Sequence, residues 1–338
     1  MRPVLVPAAP RLWRDRETLQ VGRPSARAVL VEGLDAARRA VLPLLDGTRS
    51  RAEVVDEAEK AGCADADELL AVLEDGGLVL DADAVRPAGL DRAERDRLAP
   101  DLASLALVHG RRAGSALLAR RDARVVVHGG GRVGATLAAL LAAAGVGTVD
   151  VRDREPVRPA DTGVGGLAVT DLGRTREEAV GGRLRSAGSV RRPALAVLTD
   201  GGSAETGAAL VRDAIPHLVA GVDEHVGTVG PLVLPGSSAC LRCLDLVRTA
   251  LDPGWPAVAA QLGRPVRGIP ACDGVLAVAV ASQAALQVLQ LLEGGTPASI
   301  GGTLELELPG WRWRRRSWPQ HPGCPCAWAI DAPTAATA

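Results

Sequence analysis

The chain has 338 residues, 47% of them hydrophobic, which suits two domains better than one ordinary core. Its 39 basic and 40 acidic residues give a net charge of −1, which argues against binding to nucleic acid or to an anionic membrane surface. The first residues lack the apolar core of a signal peptide, and no uninterrupted apolar run approaches the roughly 20 residues of a membrane span. We therefore expect a cytoplasmic protein.

Two features of the composition restrict the chemistry. Lys60 is the only lysine, so a cationic side chain that binds phosphate later in the chain has to be an arginine. Phe and Tyr are absent. The chain has six cysteines, and in a reducing compartment these indicate metal ligands or reactive thiols before disulfides.

Residues 1–83 are predicted to form a small α+β domain like a winged helix. Short strands are expected near both ends, and Asp35 is expected to cap the first of three helices. Ser50 and Glu53 have the spacing of a capping box for the second helix. A third helix over 65–77 is closed by glycine. Residues 84–122 are predicted to be a helical linker that packs on the next domain, and 331–338 a tail.

From residue 123 the pattern changes to strands that alternate with helices. The predicted elements are strands over 124–129, 148–153 and 194–200, helices over 135–145, 175–188, 203–215 and 274–294, and two further strands in 217–235. Such alternation predicts an α/β, Rossmann-like domain over 123–330 with a mostly parallel sheet covered on both faces. The long apolar helix is predicted to lie in the core of the domain, not in a membrane.

A glycine-rich turn lies between the first predicted strand and helix of this domain. The segment GGGRVG fits G-x-G-x-x-G, in which Gly129 allows the tight turn, Gly131 admits a phosphate and Gly134 lets the helix pack closely. Asp153 ends the second strand, where a carboxylate accepts hydrogen bonds from ribose hydroxyls. The motif by itself fits a dinucleotide redox site and an ATP site equally well.

Two pairs of cysteines lie late in the chain. Cys240 and Cys243 are two residues apart, and Cys324 and Cys326 are one residue apart. Four thiolates form a tetrahedral zinc site of the structural type, because a catalytic zinc keeps one position open. Cys272 precedes the long helix, where it is either a reactive thiol or a structural cysteine.

Taken in order, these segments resemble the ThiF/MoeB branch of the ubiquitin-activating superfamily, whose members adenylate a C-terminal carboxylate with ATP and magnesium. The resemblance rests on the glycine turn, the strand that ends at Asp153, TD at 199–200, LVLPGSSACLRCL and the final cysteine pair. It implies that the three glycines hold the nucleotide, Asp153 the ribose, Asp200 the magnesium and triphosphate, and the four cysteines zinc. Cys272 falls near the family's loop cysteine. Family members are commonly homodimers.

The chain departs from the family at the residues that bind phosphate. The family segment D-x-D-x-V-x-x-S-N-L-x-R-Q reads DREPVRPADTGVGG here, so its Arg-Gln is lost near Gly165. The family lysine is absent from DLGRTR, where Arg176 is the nearest substitute, and Arg132 replaces a glycine in the turn. Because such cations stabilise charge on the transferring phosphates, these changes predict weak or absent adenylation.

The first domain resembles the PqqD-like recognition domains of ribosomal peptide biosynthesis, on the segments TLQVG and LDGTRSRAE and the helix pattern. Such domains bind a leader peptide by adding it as a strand to a sheet edge. The pair of domains is similar to the precursor-binding partners of azoline-forming YcaO cyclodehydratases, which implies a precursor peptide and a YcaO-type enzyme as partners. An active ATP-dependent adenylyltransferase and, with much less support, a nicotinamide or flavin oxidoreductase remain as alternatives.

Overall fold

The computed structural model describes residues 1–23, 28–182, 184, 192–199, 204–262 and 271–326. The chain divides into two compact units, Met1–Ala119 and Arg120–Ala338, and each is described by itself.

The first unit contains two small antiparallel sheets and five helices among its described residues. One sheet pairs β1 with β5, and the other has the order β2-β3-β4. The strands are β1 (Pro3–Leu5), β2 (Arg11–Trp13), β3 (Leu19–Val21), β4 (Val29–Val31) and β5 (Val79–Asp81). The helices are α1 (Ala36–Val41), α2 (Arg51–Lys60), α3 (Ala66–Asp75), α4 (Ala82–Val85) and α5 (Arg92–His109), and α6 (Ala113–Asp122) crosses into the second unit.

Side-chain caps fix where the first helices begin. Asp35 accepts a hydrogen bond from the Arg38 N–H at the start of α1. Ser50 and Glu53 form the predicted capping box of α2, in which each side chain accepts the other residue's backbone N–H. These two predictions are confirmed.

The predicted strand after α3 is shorter than expected. The segment Leu78–Asp83 enters α4 at Ala82, because the Asp81 carboxylate accepts the Asp83 N–H and starts a helix. Helix α5 lies in the segment 84–122 that was predicted as a linker, and α4 overlaps its start; the structure groups both helices with the first unit. Leu98, Leu102 and Leu105 of α5 pack with Val6 and Leu80 in one buried cluster.

The second unit is built on a seven-stranded sheet of order β12-β11-β10-β9-β8-β6-β7. Its strands are β6 (Arg124–His128), β7 (Thr148–Arg152), β8 (Leu195–Leu198), β9 (His217–Asp223), β10 (Val226–Val233), β11 (Gly302–Glu307) and β12 (Trp313–Ser317). Its helices are α7 (Arg132–Ala143), α8 (Arg176–Gly181), α9 (Ala204–Arg212), α10 (Leu241–Leu251), α11 (Trp255–Leu262) and α12 (Gly274–Leu292).

The order of the strands reverses at β6. Strands β6 to β9 pair in parallel, whereas β9 to β12 pair antiparallel. From β6 the chain first adds β7 on one side and later β8 on the other. This reversal is a topological switch point, and ligands of open α/β sheets bind at the carboxyl ends of the strands there. The predicted α/β fold class is confirmed.

Both faces of the parallel strands are buried. Leu195 and Val197 of β8 point into the main core, whereas Ala196 and Leu198 pack on the opposite face with Leu210 of α9. Burial on both faces explains why β8 reads as a continuous apolar run instead of an alternating one.

Helix α12 is the helix among the described residues that is long and apolar enough to cross a membrane. Its residues Leu276, Val280 and Val288 are fully buried in the main core of the second unit, together with Leu137 and Leu141 of α7. This placement confirms the prediction of a core helix.

Two other helices differ from their predicted bounds. Helix α7 begins three residues earlier than expected, because Gly131 is its N-cap and Arg132 its first residue. Helix α8 ends at Gly181, where a longer helix to residue 188 was expected. Residues 183 and 185–188 lie outside the described part of the chain.

Stability is expected to fall in mild acid because of His217. Its ring is fully buried, Nδ1 lies 3.1 Å from the Ile215 carbonyl oxygen, and Nε2 has no partner among the described residues. Burial lowers the pKa of His217 despite the Ile215 contact, so the unfolded chain, which titrates near about 6.5, takes up a proton first. The stabilisation from neutral His217 is thus present above about pH 6.5 and is lost as the pH falls below it.

This effect is measured by urea unfolding of the wild type and His217→Leu at pH 7.5 and 5.5. We expect the wild type to lose about 1 kcal/mol more than the variant over this range. Equal losses would contradict the assignment.

Candidate nucleotide and metal sites

The glycine turn lies at the switch point, directly after β6. Gly129 has a φ of +97°, and Gly131 caps α7. A Cβ atom on Gly134 would lie 2.0 Å from the Gly129 carbonyl oxygen and 2.8 Å from Thr199 Oγ1. Thr199 at the end of β8 donates from Oγ1 to the carbonyls of His128 and Gly129, at 3.0 Å each. The turn therefore has the close backbone packing that the sequence predicts, and α7 begins directly after it, as helices do at many anion sites.

Asp153 lies beside this turn, and both of its carboxylate oxygens already have hydrogen-bond partners. Its Oδ2 accepts the Gly130 N–H at 2.8 Å, and its Oδ1 accepts the Glu155 N–H at 3.0 Å. The same Oδ2 lies 3.0 Å from Arg176 Nη1. The side chain is 7% exposed. The predicted ribose acid is thus at the turn, and it already holds a cation and two backbone donors.

Arg176 is shared between two carboxylates. Its Nη2 lies 2.9 Å from Asp161 Oδ1, its Nε lies 3.1 Å from Asp161 Oδ2, and its Nη1 contacts Asp153. The guanidinium is 15% exposed. Burial disfavours its charge, but the hydrogen bonds to Asp153 and Asp161 outweigh that effect and raise the pKa of Arg176. We call these three side chains the Arg176 network.

Arg132 and Cys272 meet across 140 residues of chain. Arg132 Nη1 donates to the Cys272 carbonyl at 2.7 Å, and Nε donates to the Ala160 carbonyl at 2.6 Å. The Cys272 thiol is half-buried, and burial raises its pKa although Arg132 acts in the opposite direction. A raised pKa lowers the thiolate fraction on which nucleophilicity depends. Asp273, one residue later, caps α12 by accepting the N–H groups of Val275 and Leu276.

Asp200, predicted to hold magnesium and triphosphate, lies outside the described residues. A cavity of about 430 Å³ opens beside the Arg176 network and is lined by Arg152, Asp153, Arg154 and Glu177. Glu177 also accepts the Asp153 N–H through Oε2 at 3.3 Å. Asp161 takes the Asn position of the family segment, but its contact with Arg176 was not predicted from the sequence. Glu177 was not predicted as a neighbour of this site, because it belongs to no local motif.

The four late cysteines converge at one point. Their Sγ atoms all lie within 4.8 Å of one another, with pairs at 3.4 Å (Cys243–Cys326), 3.6 Å (Cys240–Cys324) and 3.9 Å (Cys240–Cys243). A Zn–S bond of about 2.3 Å places tetrahedral sulfurs about 3.8 Å apart. The cluster is therefore compatible with a metal of the zinc type.

All four cysteines are buried, together with Trp318, Val233 and Leu244. Burial raises the pKa of Cys240 to about 11 and also raises the pKa of Cys326. Such thiols lose their protons to a soft cation. The His321 N–H points to Cys243 Sγ at 3.4 Å and supplies one hydrogen bond to the sulfur. The cluster joins the start of α10 to the segment after β12.

No protein-family model and no curated protein sequence matches the chain. Its fold is nevertheless similar to that of solved structures. E. coli MccB with AMPCPP and MccA is 15% identical, with a TM-score of 0.69 over 97% of this chain and 99% of that chain. The microcin C7 biosynthetic enzyme MccB in complex with N-formylated MccA is also 15% identical, with a TM-score of 0.69 over 97% of this chain and 100% of that chain. PaaA is 17% identical, with a TM-score of 0.68 over 93% and 99%.

Proposed function

We propose that this protein binds a precursor peptide in ribosomal peptide natural-product biosynthesis and presents it to a separate modifying enzyme of the azoline-forming, YcaO type, with weak or no adenylation of its own. The observation that supports this most is the extent of the structural similarity. It covers 97% of the chain, including the first unit, and the similar enzyme MccB has been solved in complex with MccA, which supports binding of a precursor peptide.

The peptide side of the proposal rests on the first unit. Its three-stranded sheet ends at β2 and β4, so each edge presents backbone N–H and C=O groups to an extended segment.

The weak adenylation rests on the Arg176 network. A phosphate clamp acts through a cation that is available to the transferring phosphates. Arg176 instead holds Asp153 and Asp161, and Lys60, in the first unit, is the only lysine of the chain. A nucleotide that recruits Arg176 has to compete with two carboxylates, and a ribose that recruits Asp153 has to compete with Arg176.

We further infer that the cysteine cluster holds a structural zinc ion that braces the second unit and takes no part in the reaction. The homodimer implied by the family resemblance is part of the same proposal and is tested by light scattering on the purified protein.

The proposed function is tested with the short peptides encoded in the genes that flank this one, each taken as a candidate precursor. We expect the purified full chain to bind the labelled precursor with micromolar or tighter affinity, measured by fluorescence anisotropy, and to bind equally with and without ATP. A scrambled precursor is the control. No binding at about 100 μM protein would refute the precursor-binding function.

An active adenylyltransferase is the second candidate, because the glycine turn keeps the tight geometry of a phosphate site at Gly129 and Gly134. It predicts ATP–pyrophosphate exchange that depends on the precursor peptide and is abolished in Asp200→Ala. Our proposal predicts exchange at or near background in the wild type. Robust exchange would favour the second candidate.

A further inference from the structure

Arg132 lies at the glycine turn as the first residue of α7. The residue is half-buried, and its guanidinium bonds to two backbone oxygens: Nε donates to the Ala160 carbonyl at 2.6 Å, and Nη1 donates to the Cys272 carbonyl at 2.7 Å. No ion pair of Arg132 is found within the described ranges of the chain. Both acceptors are neutral, so these bonds leave the positive charge of the guanidinium uncompensated.

The two arginines of DLGRTR, which the sequence offers as phosphate clamps, already contact carboxylates. Arg176 is held by the two carboxylates of the Arg176 network, and Arg174 Nη1 lies 3.6 Å from Asp171 Oδ1. A phosphate that recruits either of them has to displace an anion, whereas a phosphate that recruits Arg132 displaces two neutral carbonyls. Charge-assisted hydrogen bonds are roughly twice as strong as neutral ones, so this exchange favours Arg132.

Arg132 also connects two segments that are far apart in the chain. Ala160 lies in the loop after β7, and Cys272 lies just before α12. The loop has a second attachment, because Thr136 Oγ1 on α7 lies 3.3 Å from the Val164 carbonyl oxygen. We call the two bonds of Arg132 the Arg132 clasp. If Arg132 turns to another acceptor, the loop keeps its attachment at Val164, whereas the segment before α12 loses its hydrogen bond to Arg132.

We propose that Arg132 is the residue that binds a phosphate group of a di- or triphosphate at the glycine turn, and that this binding opens the Arg132 clasp and loosens the segment before α12. Arg132 also carries one of the first N–H groups of α7, which have no acceptor within the helix, so backbone and side chain serve the same anion. The proposed function does not need a bound phosphate, and this inference goes beyond it without resting on it.

The probe is inorganic pyrophosphate, titrated into the full chain at constant ionic strength and followed by calorimetry. We expect Arg132→Gln to weaken its binding at least about tenfold, because a charge-assisted hydrogen bond is worth about one order of magnitude in affinity. Arg132→Lys keeps the charge and should recover most of the affinity. Arg92→Gln removes the same charge from an exposed site on α5 and should change nothing. Circular dichroism verifies that each variant is folded.

Hydrogen exchange tests the Arg132 clasp itself. The N–H groups of Val275 and Leu276, which Asp273 Oδ1 accepts at 2.9 Å each, report on the segment before α12. We expect pyrophosphate to speed their exchange about fivefold in the wild type, because the loss of one hydrogen bond changes a local opening equilibrium by about this factor. Arg132→Gln should show the faster exchange without pyrophosphate. The amides of 164–167, in the loop that keeps its second attachment, should exchange at the same rate throughout.

Three results would overturn the proposal. They are no binding of pyrophosphate to the wild type at about 10 mM, equal affinity of the wild type and Arg132→Gln, and unchanged or slower exchange at Val275 and Leu276 when pyrophosphate is bound. The precursor assay separates this inference from the proposed function. If the precursor binds and pyrophosphate does not, the inference fails and the proposed function stands. If pyrophosphate opens the Arg132 clasp and the precursor does not bind, the inference stands and the proposed function fails.

Discussion

Replacing Cys324 with serine is expected to remove zinc from the protein and to lower the melting temperature by roughly 10 °C. The four sulfurs lie within 4.8 Å of one another in a buried cluster with Trp318. Without a cation, three thiols and a hydroxyl remain packed together with little hydrogen bonding, so the segment after β12 loses its attachment to α10. The loss of a structural metal is one of the few single changes that cost more than about 4 kcal/mol.

Zinc content is measured by mass spectrometry of the purified protein, and the melting temperature by calorimetry. We expect one zinc ion per chain in the wild type and less than a tenth of that in Cys324→Ser. Cys272→Ser is the matched control, because Cys272 lies outside the cluster and should leave the zinc content unchanged. A chelator should remove zinc more readily at pH 5 than at pH 8, because protons compete for the thiolates. Wild-type protein without any metal would contradict the assignment.

Replacing Arg176 with methionine is expected to lower the free energy of unfolding by about 3 kcal/mol at pH 7. The change leaves Asp153 and Asp161, 7% and 14% exposed, without their shared cation. Removing one partner of a largely buried ion pair costs about 3–5 kcal/mol, because the remaining charge is uncompensated.

A double variant tests whether Arg176 and Asp161 stabilise the protein through their contact with each other. Adding Asp161→Asn to Arg176→Met should recover about 1 kcal/mol or more, because one of the two uncompensated charges is removed. Arg154→Met is the control, since this arginine is 94% exposed and its nearest carboxylate, on Glu177, is 3.9 Å away. Urea unfolding gives the free energies of the wild type, Arg176→Met, Asp161→Asn, the double variant and the Arg154→Met control. Additive losses in the double variant would mean that Arg176 and Asp161 act independently.

The sequence predicts the features whose signal is local. The capping box of Ser50 and Glu53, the glycine turn and the short-spaced cysteine pairs each depend on residues a few positions apart, and the structure contains all of them. The sheet edge formed by β11 and β12 was not predicted. Its signal was present, since Leu304 and Leu306 alternate with Glu305 and Glu307, and of these four only the leucines are buried.

The ion pairs and hydrogen bonds of the site could not be predicted from the sequence. Arg176 was interpreted as a phosphate clamp because of its position in DLGRTR, yet its partners lie 15 and 23 residues away. Arg132 contacts the carbonyl of Cys272 across 140 residues. Such pairings depend on how the loops after β6 and β7 meet at the switch point, and no periodicity or motif spacing encodes this meeting.

The separation of the two cysteine pairs has a consequence for how the protein is made. Cys240 and Cys324, whose sulfurs are neighbours in the cluster, are 84 residues apart, and Cys243 and Cys326 are 83 residues apart. During synthesis the first pair therefore leaves the ribosome as an unfinished two-thiolate site and waits while α10, α11, α12, β11 and β12 are translated. At about 5–20 residues per second this interval lasts several seconds, during which the nascent chain depends on a reducing environment to keep both sulfurs free.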